Sequence, residues 1–111
     1  MFKKNITRKI LLLYFFITLS FSFSAKSQTS VSIQTAEQAL SNGNYEKALD
    51  IWQILSNRGN LIAINNLGFM YERGYGVTRN QRKAVALYKK AAEGGIAVAQ
   101  FNYGEALFLG N

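Results

Sequence analysis

Apolar residues recur at helical spacing in five blocks between residues 34 and 109, and glycine or asparagine closes most of them. The first block, about Gln34 to Leu40, carries Ala36, Ala39 and Leu40, and Ser41-Asn42-Gly43-Asn44 breaks it. Asn44 can cap a second helix whose apolar face is Ala48, Leu49, Ile51, Trp52 and Leu55, with Gly59 as its stop. The third runs from about Asn60 to Arg73 on a stripe of Ala63, Leu67, Met70 and Tyr71. Gly68 lies beside that stripe, where a missing side chain lets a neighbouring helix approach closely. Gly74-Tyr75-Gly76 then turns the chain, and Val77 can plug the turn onto the core. The fourth helix begins near Asn80, with Thr78 as the alternative cap and Gln81 as its capping-box partner. Its inner face is Ala84, Leu87, Tyr88, Ala91 and Ala92, and Gly94-Gly95 ends it. A fifth, about Ile96 to Leu109, repeats the third.

A shift of 36 residues tests the repetition. It pairs Asn44 with Asn80, Lys47 with Lys83, Ala48 with Ala84 and Gly59 with Gly95. Ala63 then falls on Ala99, Asn66 on Asn102, Gly68 on Gly104 and Gly74 on Gly110. Trp52 meets Tyr88, and Leu67 meets Tyr103. These matches concentrate at small and capping positions. Residues 60–95 read small residue, Leu67-Gly68, Tyr71, Gly74-x-Gly76-Val77, Lys83-Ala84, Tyr88, Ala91-Ala92, Gly95. That pattern resembles the Sel1-like repeat, a relative of the tetratricopeptide repeat.

The first helix pair, with its tight Ser41–Asn44 turn, is closer to a tetratricopeptide turn. Asn80 stands where the family usually has aspartate, which it can replace as a cap without the charge. The resemblance implies an all-α fold of antiparallel helix-pair repeats, a short solenoid of about five helices. Ala63, Leu67, Gly68, Tyr71, Ala84, Tyr88, Ala91, Ala92, Ala99 and Gly104 are its expected packing positions, with Gly74, Gly76 and Val77 forming the loop.

Ahead of the repeats, Lys3, Lys4, Arg8 and Lys9 precede an apolar run from Ile10 to Phe23 and a small, polar stretch, Ser24-Ala25-Lys26-Ser27. The run is shorter than the roughly 18 residues that cross a bilayer comfortably. It has the build of a secretory signal peptide, with cleavage after Ser24 or Ser27; an uncleaved anchor is the alternative. Either places the remainder outside the cytoplasm, in the periplasm or secreted. The expected organisation is a leader at 1–27, a Ser/Thr-rich linker at 28–34 and a repeat domain at 35–111.

The leader also explains the charge. The chain is +7 overall, but five cations lie within residues 1–27, and the other eight face six acids, leaving about +2. A balance that weak does not make a nucleic-acid footprint. There is no cysteine and no histidine, which excludes disulfides, thiol or imidazole catalysis, lipidation at cysteine and the usual zinc sites. Gly74-x-Gly76 lacks the preceding strand and the later glycine of a dinucleotide fingerprint. Glu46 and Asp50 have no third ligand, so no metal site or cofactor is expected. The cations Arg79, Arg82, Lys83, Lys89 and Lys90 are spread around one helix and read as a solvated surface. No catalytic constellation emerges.

What remains is binding. In stacked helix pairs the first helix of each pair tends to line a concave face. Residues there that packing does not dictate can read a partner: Asn65, Phe69, Glu72 and Arg73, then Phe101 and Glu105, extending to Phe108. Phe69 heads that set, with a core contact as its alternative. The fifth helix is strongly apolar and has no paired helix after it, which leaves self-association, docking on a partner protein or a truncated reading frame. The family resemblance implies an adaptor or signalling modulator acting through another protein. An envelope ligand-binder or enzyme acting on peptidoglycan fragments is the alternative.

Overall fold

The computed structural model describes residues 30–110, so the expected leader and the first two residues of the linker lie outside the described residues. Five helices follow one another: α1 (Ile33–Ser41), α2 (Tyr45–Asn57), α3 (Leu61–Arg73), α4 (Gln81–Glu93) and α5 (Ala97–Leu109). Each packs against the next in sequence. This is the all-α, helix-pair architecture expected from the 36-residue pattern. Among the described residues no helix is long and apolar enough to cross a membrane.

The helix starts follow from short polar side chains. Asn44, Asn60 and Asn80 each accept a hydrogen bond from a backbone N–H three residues on, at 3.3, 3.0 and 3.0 Å. Each satisfies one of the donors a helix N-terminus leaves orphaned. Thr78 does not cap α4; Asn80 does. α1 begins earlier than its apolar spacing suggests, inside the stretch read as linker. Ser32 and Thr35 form a reciprocal capping box there. α5 starts at Ile96 without any side-chain cap, although its counterpart α3 has Asn60.

Packing is organised by alanine and glycine. Ala36, Ala48, Ala63, Ala84, Ala91 and Ala99 are all fully buried. Around Ala36, Ala48 and Ala63 close Trp52, Leu55, Leu67 and Met70, the centre of the α1–α3 core. Ile64 joins Ala91 and Ala99, and Tyr88 joins Ala84 and Ala106. Trp52 and Tyr88, one repeat apart, are the two largest fully buried side chains. Ala92, Tyr71 and Val77 are only half-buried.

Gly68 shows why the approach is so close. A Cβ there would lie 2.9 Å from two carbons of the Tyr88 ring and 3.3 Å from the Ala84 carbonyl oxygen. The glycine is a seat for an aromatic ring. The repeat predicts the same of Gly104, its counterpart, but that residue is exposed, with nothing within 4 Å of the corresponding point. The sequence places the seat, and only packing decides whether a ring occupies it.

Substitution at the two glycines is therefore expected to act with opposite sign. Gly68→Val pushes into a fixed ring and lowers stability by about 1–3 kcal/mol. Gly104→Ala gains helix propensity in open space and raises stability by about 0.5–1 kcal/mol. Urea midpoints followed by helical circular dichroism check both.

Candidate functional site

The residues expected to read a partner lie on α3 and α5, and the structure separates them into three groups. Asn65 does not face outward. It is only 4% exposed; its side chain donates to Asn66 Oδ1 at 3.1 Å and accepts from Asn102 Nδ2 at 3.0 Å. A buried amide needs such partners, and the bond from Asn102 ties α3 to α5. Asn65 is a structural residue.

Phe69, Glu72 and Arg73 form the second group, gathered at the C-terminal end of α3. Phe69 is half-buried and packs on the Ala84–Tyr88–Ala106 cluster. The Tyr75 ring meets it edge-on at 5.8 Å between centroids, and the Arg73 guanidinium lies over it at 5.6 Å. Phe69 thus makes the core contact that was its alternative, while remaining partly exposed. Tyr75 in turn stacks on Tyr45 at the start of α2, 4.3 Å apart and 3° from parallel. The loop can reach Tyr45 because Gly76 has φ +68, and a Cβ there would sit 2.9 Å from the Tyr45 carbonyl. The result is a continuous shelf: Tyr45, Tyr75, Phe69, Arg73.

Glu72 is engaged as well. Its Oε2 accepts a hydrogen bond from the Tyr88 hydroxyl at 2.8 Å. Burial holds the Tyr88 phenol well above its ordinary ionisation range; the hydrogen bond to Glu72 and that carboxylate's charge push the same way, and Arg73 opposes them. Beside this pair, Arg79 Nε donates to the Glu72 backbone carbonyl at 3.0 Å. It satisfies an orphan acceptor at the negative end of α3. Glu72, Arg73, Arg79 and Leu109 enclose an open cleft of about 410 Å³. Arg73 and Arg79 are exposed, so their remaining guanidinium N–H groups can face an incoming acceptor.

The third group, Phe101, Glu105 and Phe108, is exposed on α5 and takes no part in this edge. Lys83 approaches Tyr71 instead of joining a basic patch: its Nζ lies 2.8 Å from the hydroxyl and 4.2 Å from the ring centroid. Among the described residues, one ion pair forms, Lys89 with Glu93 at 3.9 Å on the exposed side of α4.

Sequence reasoning named Phe69, Glu72 and Arg73 but missed Tyr45, Tyr75, Arg79 and Leu109. Tyr75 carried a signal, since a large aromatic between two turn glycines must rest on something. For Arg79 and Leu109 there was none, because their meeting depends on how α5 returns past the end of α3.

The Sel1 repeat family model matches residues 61–96, which span α3, the glycine loop and α4, and residues 97–111, which begin with α5. No curated protein and no solved structure matches the chain.

Burial of the Tyr88 phenol, reinforced by its hydrogen bond to Glu72, sets a pH dependence. Raised ionisation of the folded phenol means its stabilisation is complete below about pH 10, where the unfolded phenol ionises, and fades as pH rises above that. Urea unfolding at pH 8 and pH 11 should therefore show a steeper loss for the natural protein than for Tyr88→Phe. Equal losses would remove the phenol as the cause.

Proposed function

Taking as premise that the chain is a Sel1-like repeat protein, and that such repeats mediate protein–protein interaction, we propose that it is an exported adaptor or regulator with no catalysis of its own. The observation that carries the binding surface is the joining of the aromatic shelf to the arginine-lined cleft. Flat rings at Tyr45 and Tyr75 offer apolar contact at little entropic cost, and Arg73 spans the boundary between shelf and cleft. A protein segment that sets an apolar side chain beside a carboxylate fits both halves.

The leader at 1–27 supports export, to the periplasm or beyond, by its charge and length alone. Self-association through α5 belongs to the same reading, supported by the apolar residues exposed along that helix.

Two measurements test this. A photo-crosslinker at position 73 in intact cells is expected to capture a discrete partner, and one at the exposed Ala86 of α4 is not. Arg73→Glu, a change at an exposed side chain, is expected to abolish capture by a crosslinker at Tyr45 while leaving helicity unchanged. Equal capture from positions 73 and 86 would remove the surface. For export, the mass of the mature protein should lack residues 1–24 or 1–27; intact Met1 in the cytoplasmic fraction would contradict it.

A further inference from the structure

Ala97, Phe101, Gly104 and Phe108 follow one another on α5 at intervals of four, three and four residues. That spacing aligns them in one seam along a helix. All four are exposed, and they lie on the opposite side of α5 from Ala99 and Ala106, which are buried against the rest of the fold. Read in either direction the intervals are the same, while the sizes invert: small, large, small, large. Laid antiparallel on its own image, the seam sets each Phe101 over the other copy's Gly104 and each Phe108 over the other copy's Ala97.

We propose that this seam is a two-fold contact between two copies of the chain, with phenylalanine rings seated on the facing glycine and alanine. The inference rests on the self-association reading and specifies its geometry. The chain already contains the same contact internally: Tyr88 sits on Gly68, and Gly104 is the identical repeat position left open. A two-fold interface has to be self-complementary, and this pattern is. The helix carries a single charge, Glu105, which falls on the flank of the seam and not in it, as interface cores require.

The area sets the strength. Phe101 and Phe108 are 67% and 81% exposed, so at about 200 Å² per ring they offer roughly 300 Å² in each copy. With the exposed parts of Val98 and Leu107, the pair buries roughly 900 Å², at the low end for a specific interface. The dimer is therefore weak and concentration-dependent.

Size exchange tests the register. Sedimentation of the purified protein over a concentration series is compared with Phe101→Ala, Gly104→Phe and the double variant. Nothing lies within 4 Å of a Cβ at Gly104 and Phe101 is mostly exposed, so the fold tolerates both; circular dichroism verifies it. The natural protein is expected to dimerise. Each single change should weaken association at least about tenfold, one by leaving a void and the other by setting ring against ring. The double variant should recover it, because ring and seat have only traded places. A monomer at every concentration would overturn the seam and self-association together. A dimer indifferent to the single changes, or not restored by the double one, would overturn the seam alone. Capture through position 73 reports separately on the partner surface.

Discussion

The fold depends on how closely two helices can approach when one of them presents no side chain. At Gly68 the α3 backbone comes within reach of the Tyr88 ring and the Ala84 carbonyl, and the neighbouring contacts are made by fully buried alanines. Interior density is set by such fits, where a single methyl is felt. A helix pair this short contributes little by itself. Its stability comes from filling the space between neighbours, and small residues at a fixed interval make that space the same shape each time.

Polar groups then fix what the apolar packing leaves free to slide. Tyr88 is held by Glu72, so the ring that fills the seat is also anchored at its far end. Asn65 and Asn102 join α3 to α5 from within. Arg79 closes the end of α3 on the Glu72 carbonyl, and the Tyr45–Tyr75 stack pins the glycine loop to the preceding hairpin. Two groups are exceptions: Gln81 Oε1 and the Trp52 indole N–H are buried without a partner among the described residues. The cost of the orphan N–H is borne by the area the ring buries, which is large for an indole. The edge that results from these ties is half apolar and half cationic.

Much of the architecture was legible in the sequence because its determinants are local. Asparagine caps, positive-φ glycines and apolar spacing each act within a turn or two of helix, and their repetition at 36 residues exposes the common unit. Ala63, Leu67, Ala84, Tyr88, Ala91 and Ala99 are buried, while Tyr71 and Ala92 are half-buried and Gly104 is exposed. The surface was less legible, for a physical reason. Asn65 and Gly104 occupy positions whose role is decided by the next element, not by their own helix: Asn102 reaches Asn65 and buries it, and no ring reaches Gly104. Periodicity says which face a residue is on. It does not say what arrives there. The cleft of Arg73, Arg79 and Leu109 was invisible for the same reason, since its walls come from three separate elements.

Helix stacking in this chain turns on the pairing of a ring with an empty position, and a double-mutant cycle between residues 68 and 88 measures it most directly. Unfolding free energies are compared for the natural protein, Gly68→Val, Tyr88→Leu and the pair. If the glycine exists to seat the ring, valine costs much less once the ring has been shortened, and the cycle shows a coupling of about 1 kcal/mol or more. Strictly additive costs would mean that Gly68 and Tyr88 are merely near each other, and that something other than a seated ring holds α3 against α4.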